Sequence, residues 1–155
     1  MTSTADLLDE HGEDAGVCLV QFRSFGASAF EGRVATVRCL EDNVLLKQRL
    51  SEPGDGRVLV VDGGGSRRCA LLGDSIGALA HGNGWAGLVV HGCVRDAVAL
   101  DALGLGIKAL GTNPRPSGKA GAGETDVPVR FGEVTFTPGD RLVADEDGIV
   151  VLPAA

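Results

Sequence analysis

The chain has 155 residues, 44% hydrophobic and 23% charged, the size and make-up of one globular domain with a substantial core, and the whole of 1–155 is read as a single domain. A formal net charge of −7 repels a phosphate backbone and argues against direct nucleic-acid binding. The apolar runs are only strand-length, too short for a bilayer, and residues 1–16 are acidic and polar rather than leader-like, so no membrane association and a cytoplasmic location are expected.

Residues 6–11 predict a short helix with Leu7 and Leu8 as its apolar contacts. Residues 17–22 read as a strand, 24–32 as a Gly-rich loop and 34–40 as a second strand. Asp42 or Asn43 can cap a helix running to Leu50, with Val44, Leu45 and Leu46 inward. After a turn at 51–56, the run Val58-Leu59-Val60-Val61 suits a strand buried on both faces. Gly63-Gly64-Gly65-Ser66 breaks it, and 69–72 forms a short strand. A helix follows from Asp74 to about His81, with Ile76, Leu79 and Ala80 inward. Residues 85–91 hold another buried run, Leu88-Val89-Val90; 95–103 read as a helix with Val98, Leu100 and Leu103 apolar; 107–110 are a short strand. Residues 112–125, with Pro114, Pro116, Gly118, Gly121 and Gly123, are the most loop-like stretch. Four short strands close the chain at 127–130, 134–136, 141–144 and 149–152. The pattern is a mixed α/β domain with a Gly-rich centre and β-rich ends. The 24 glycines have no three-residue period and mark tight turns.

Two places have the form of a strand feeding a helix through a polar turn, Leu72-Gly73-Asp74-Ser75-Ile76 and Val90-His91-Gly92-Cys93-Val94-Arg95-Asp96. Open α/β sheets bind ligands beyond the carboxyl ends of strands, so both turns are candidate walls of one pocket. At the first, Gly73 admits a ligand to the backbone, and the N–H groups of Asp74, Ser75 and Ile76 can hold a carboxylate; a plain helix cap explains the same residues. At the second, the Arg95 guanidinium matches a carboxylate and Asp96 is a hard oxygen ligand for Mg2+ or Mn2+; on the dipeptide alone, a local ion pair plus a helix cap is the simpler explanation. Gly63-Gly64-Gly65-Ser66 lacks the Lys-Ser/Thr of a phosphate loop and reads as a tight turn. His81 and His91 lack sequence neighbours of metal-ligand type. Cys18, Cys39, Cys69 and Cys93 form no CxxC pair and read as buried, reduced thiols.

The runs 58–66, 84–96, 106–114, 131–140 and 144–149, in one register over nearly the whole chain, resemble the RraA-like family. That family includes 4-hydroxy-4-methyl-2-oxoglutarate aldolases that also decarboxylate oxaloacetate, and bacterial proteins that bind and inhibit ribonuclease E. The resemblance implies a swivelling β/β/α domain with a Gly-rich central sheet and flanking helices, assembled as a homotrimer or a pair of trimers. It implies a small 2-keto acid bound by Gly73, Asp74, Ser75, Ile76 and Arg95, a divalent metal cation (Mg2+ or Mn2+) on Asp96, and Arg95 and Asp96 as catalytic residues. The alternative it carries is a non-enzymatic regulator with a ribonuclease E-type protein partner. An acid at position 96 favours the enzyme, since the ribonuclease regulators lack one there. The aldolases also carry an acid three residues after the Arg-Asp pair, where this chain has Ala99 and its nearest acid is Asp101. A C-terminal extension found in larger aldolases is not expected beyond Ala155. Some members have been called menaquinone methyltransferases, but no glycine-rich S-adenosylmethionine signature is present.

Overall fold

The computed structural model describes residues 1–154. In chain order its elements are α1 (Thr4–His11), β1 (Gly16–Val17), β2 (Arg23–Phe25), β3 (Phe30–Arg38), α2 (Val44–Leu50), β4 (Val58–Asp62), β5 (Ala70–Leu72) and α3 (Asp74–Gly82). There follow β6 (Gly87–Val94), α4 (Ala97–Asp101), β7 (Gly106–Thr112), β8 (Glu124–Thr125), β9 (Val129–Phe131), β10 (Val134–Phe136), β11 (Arg141–Asp145) and β12 (Gly148–Leu152).

Strands β3, β4, β6 and β7 are parallel neighbours, each joined to the next through a helix, as parallel pairing requires. Antiparallel strands extend both sides: β11, β12 and β1 beyond β3, and β2 beyond β7. β5 adds to β6 in parallel, and β9 and β10 form a separate hairpin. The apolar runs are continuous because the central strands are covered twice. Leu59, Val61, Leu88, Val90 and Ile107 pack with Leu46, Leu50, Ala80 and Leu100 of the helices. Val58, Val60 and Val89 point the other way, onto Phe131, Val134, Phe136 and Leu142. This is the expected β/β/α layering. Each fully buried aliphatic side chain contributes about 1.5–3 kcal/mol. Gly87 and Gly106, paired across β6 and β7, lie under the Phe30 ring; a Cβ at Gly106 would stand 2.5 Å from Phe30 Cδ2.

Several elements differ from the sequence expectation. The strand read at 17–22 is interrupted after Val17, because the chain passes from β12 to the β9–β10 turn: Cys18 N donates to Ile149 O and Leu19 N to Gly132 O. The loop read at 24–32 is largely strand, since β3 reaches back to Phe30 to pair with β11. The helix read from Arg95 shrinks to α4, and of its apolar residues Val98 is 88% exposed while Leu100 is buried. Its cause is the left-handed backbone of Asp96 (φ 59°), which no helix continues through. On α2, Leu46 and Leu50 are buried while Val44 and Leu45 are half-buried. All four cysteines are free and buried. Burial, with Asp42 and Asp62 nearby, pushes the Cys39 thiol up to about 12, so it is inert at neutral pH. No helix among the described residues is long and apolar enough to cross a membrane.

One buried acid ties the N-terminal helix to the sheet. Asp145 accepts from Thr4 N (2.8 Å), Thr4 Oγ1 (2.7 Å) and Asp147 N (3.0 Å). Burial alone would raise its pKa; these hydrogen bonds outweigh that and hold it below the usual aspartate value. A depressed folded value means the stabilisation is complete above the unfolded pKa of about 4 and is lost as pH falls through the folded one. Asp145→Asn is therefore expected to cost about 1–3 kcal/mol at pH 7, with the difference from wild type shrinking below pH 4. Urea denaturation at both pH values measures this; a constant difference would contradict it.

Candidate active site

A cleft of about 570 Å³ opens at the carboxyl ends of β5 and β6. That volume is ordinary for a small-molecule site. Gly73, Asp74, Ser75 and Ile76 line it from the β5–α3 turn, and Arg95 and Asp96 from the β6–α4 turn. All six residues singled out from the sequence thus face one opening. Their proximity follows from topology: β5 and β6 are parallel partners, so both turns leave the same sheet edge. Arg95 N donates to Leu72 O at 3.0 Å and locks the two turns together.

Among the described residues Asp96 forms no ion pair with Arg95, and although it stands at the start of α4 its side chain makes no capping bond to that helix. Its Oδ2 accepts from Asp74 N at 3.1 Å, so it caps the neighbouring helix α3. Gly73 makes room for this, because a Cβ there would collide with Asp96 Oδ2 and lie 3.2 Å from Arg95 Cγ. The first turn of α3 closes with Gly77 N donating to Gly73 O. With the Asp74 N–H taken by Asp96, the N–H groups of Ser75 and Ile76 remain for a ligand, narrower than the three expected. Arg95 is exposed, and its Nη1 makes one long contact, 3.4 Å, to Pro114 O.

Sequence reading missed the opposite wall. Asn43, Lys47, Gln48 and Ser51 line the cleft from α2, and Lys119 from the loop after β7. Asn43 is buried; its Nδ2 donates to Leu71 O (3.0 Å) and its Oδ1 accepts from Lys119 Nζ (3.1 Å). The loop is held by Asp42, whose carboxylate accepts from Val44 N, Ala120 N and Gly121 N. Burial raises the Asp42 pKa, and those bonds more than reverse it. A usable signal was present: the chain has only three lysines, and two of them face this cleft. Asp101 does not replace the acid that the aldolases carry at the position of Ala99. It accepts from Gly26 N at 2.9 Å and lies outside the cleft lining. His91, read as partnerless, stacks on Phe131 with its Nδ1 3.8 Å from Asp62 Oδ1, also outside the lining.

Among the described residues no group of three or more His, Cys, Asp or Glu side chains is placed to hold a metal ion. A zinc-type cage is therefore excluded among them. The donor set, Asp96 with Asp74 nearby in an open cleft, fits the kind of ion that takes one or two carboxylates and keeps water or substrate oxygens for the rest.

Residues 2–151 match the family model described as RraA-like, Aldolase/RraA. The chain belongs to the RraA-like family. A relative from Laribacter hongkongensis (strain HLHK9), provisionally named a 4-hydroxy-4-methyl-2-oxoglutarate aldolase, is 56% identical over 97% of this chain and 95% of its own. Two crystal structures superpose closely. The RNA-processing inhibitor RraA from Thermus thermophilis is 46% identical, with a TM-score of 0.96 over 99% of this chain and 94% of its own. A protein from Geobacillus kaustophilus HTA426 described as an S-adenosylmethionine:2-dimethylmenaquinone methyltransferase is 44% identical, with a TM-score of 0.97 over 99% and 96%. One RraA-like fold thus carries three different activity names, so the site must decide.

Gly73→Ala tests how the site is built. The colliding atom is the end of a short side chain, so the carboxylate is displaced rather than the fold. The variant should melt within a few degrees of wild type and, on the family expectation that the cleft takes pyruvate with Mg2+, bind them about tenfold more weakly. Calorimetric titration beside thermal denaturation checks both; unchanged binding would mean that the Asp96 position does not matter.

Proposed function

We propose that this RraA-like chain is a metal-dependent lyase of the class II aldolase type. Its reading is cleavage of 4-hydroxy-4-methyl-2-oxoglutarate to pyruvate, with oxaloacetate decarboxylation through the same pyruvate enolate. The observation that carries this is the convergence of Arg95, Asp96 and the start of α3 on one cleft. The name of the relative from Laribacter points the same way.

In this mechanism the Arg95 guanidinium and the N–H groups of Ser75 and Ile76 bind the carboxylate of the keto acid and fix the C2 carbonyl toward Asp96. A divalent cation held by Asp96 would supply Lewis-acid polarisation of the C2 oxygen. In the aldol substrate the C3–C4 bond breaks. Its electron pair becomes the enolate of one pyruvate, and C4, losing its hydroxyl proton, becomes the ketone of the second. Protonation at C3 completes the first pyruvate. In oxaloacetate the same bond releases carbon dioxide, with no hydroxyl to deprotonate. Asp74 and Asp96 are the carboxylates in the cleft lining. With Asp96 assigned to the cation, Asp74 is left as the proton acceptor for the C4 hydroxyl. The same proposal includes the homotrimeric assembly of the family.

The two reactions separate the roles. Asp96→Asn should lower both activities by at least about 100-fold, as should a chelator, with Mg2+ or Mn2+ restoring the wild type. Asp74→Asn should lower aldol cleavage by about 100-fold while leaving decarboxylation within about threefold. Pyruvate release coupled to lactate dehydrogenase reads all of these. If wild type with added metal turns over neither substrate, the competing assignment gains: a protein-binding regulator of ribonuclease E, favoured by the 46% identity to the Thermus inhibitor and by the acidic surface.

A further inference from the structure

One wall of the cleft is a face of α2, on which Asn43, Lys47 and Ser51 stand successive turns apart. Lys47 N donates to Asn43 O at 3.0 Å, and Ser51 N to Lys47 O at 3.0 Å. At about 1.5 Å per residue the column is about 12 Å long. Its direction is set at both ends. Asn43 binds Leu71 O beside the Gly73 turn, while at the far end Leu50 O accepts from Asn83 Nδ2, at the close of α3. Helix α2 therefore runs alongside α3, and Lys47 lies one turn along the cleft from the end where Arg95 and Asp96 sit.

Lys47 has no ion pair among the described residues. The lining carries three cations, Lys47, Arg95 and Lys119, against two acids, in a chain of net charge −7. Lys119 is already engaged with Asn43. Arg95 serves the keto-acid end, which leaves the Lys47 ammonium without a function there.

We propose that Lys47 is a specificity-determining residue that binds the distal carboxylate of a dicarboxylic 2-keto acid whose keto-acid end is held by Arg95. This assignment rests on the lyase reading above and names the group that selects its substrate. A compact ammonium on a flexible stem suits a carboxylate whose position differs between four- and six-carbon substrates.

The test is calorimetric binding, with Mg2+ present, of two unreactive acids of equal chain length: 2-oxoglutarate and 2-oxopentanoate, which lacks the second carboxylate. Wild type is expected to prefer the diacid by about tenfold. Lys47→Gln should abolish that preference while leaving 2-oxopentanoate affinity unchanged, and Lys47→Arg should restore most of it. In turnover, Lys47→Gln should raise KM for 4-hydroxy-4-methyl-2-oxoglutarate with kcat largely kept. A Lys47→Gln variant that keeps both the preference and oxaloacetate turnover overturns the assignment and leaves the lyase reading intact. Failure of wild type to bind either acid overturns both.

Discussion

The carboxylate of Asp96 rests against the backbone N–H of Asp74, and that contact exists only because residue 73 has no Cβ. The rest of the site follows from it. Two turns that leave adjacent parallel strands are brought into register, Arg95 is left at the cleft surface, and the start of α3 keeps the Ser75 and Ile76 N–H groups for a ligand. The arrangement has a local cost. A left-handed residue other than glycine is disfavoured by about 1 kcal/mol or more, and a carboxylate at a helix start recovers only about 0.3–1 kcal/mol. The local balance is about even at best. The geometry is held by its surroundings instead, by Arg95 N on Leu72 O and Asn113 N on Val94 O, in the two residues just before the strained one.

Those surroundings are rigid because the central strands are buried on both faces. Helices cover one side with Leu46, Leu50, Ala80 and Leu100; the β9–β10 hairpin and β11 cover the other with Phe131, Phe136 and Leu142. A strand in such a position cannot shift register without moving apolar groups out of both cores. The ends of β5 and β6 are fixed by packing that continues into the cleft wall itself, where Leu72 belongs to both. The opposite wall has a different kind of anchor. Asp42 gathers the N–H groups of a Gly-rich loop, and that loop carries Lys119 to Asn43. One wall is positioned by apolar burial; the other combines the apolar seat of α2, through Leu46 and Leu50, with a loop gathered by one buried carboxylate.

The legible parts of the sequence were those where one local signal sufficed. The unbroken run Val58 to Val61, bounded by turns, suited a strand covered twice, and Gly73 and Arg95-Asp96 stood where strand passes into helix. What escaped were features decided by distant partners. Phe30 extends β3 because β11 is there to pair with it, and nothing in residues 24–32 announces β11. The shortened α4, with Val98 exposed, follows from a backbone choice at Asp96 that an apolar pattern cannot reveal. Beside its reading as a cation ligand, Asp96 offered a local ion pair with Arg95, and its hydrogen-bond partner instead lies 22 residues away. Lys47 and Lys119 are far apart in the chain and meet only through Asn43 and the Asp42-anchored loop.

The RraA-like fold is attached to an aldolase name, an inhibitor name and a methyltransferase name, so fold alone decides nothing about activity. Charge placement distinguishes them better. The cleft lining is net positive although the chain as a whole is acidic, so the remaining surface is more acidic than the total suggests. A long-range field of that sign repels anions, and a cleft meant for none would have no reason to oppose it. Three cations around two carboxylates and a helix start are the reverse of what a generally acidic docking surface requires. They are what a small polyanion requires once it has come within a few ångströms. The acidic exterior leaves room for a basic protein partner, but such a partner would dock outside this opening. The two readings use different parts of the molecule, and it is the lyase proposal that makes use of the cleft.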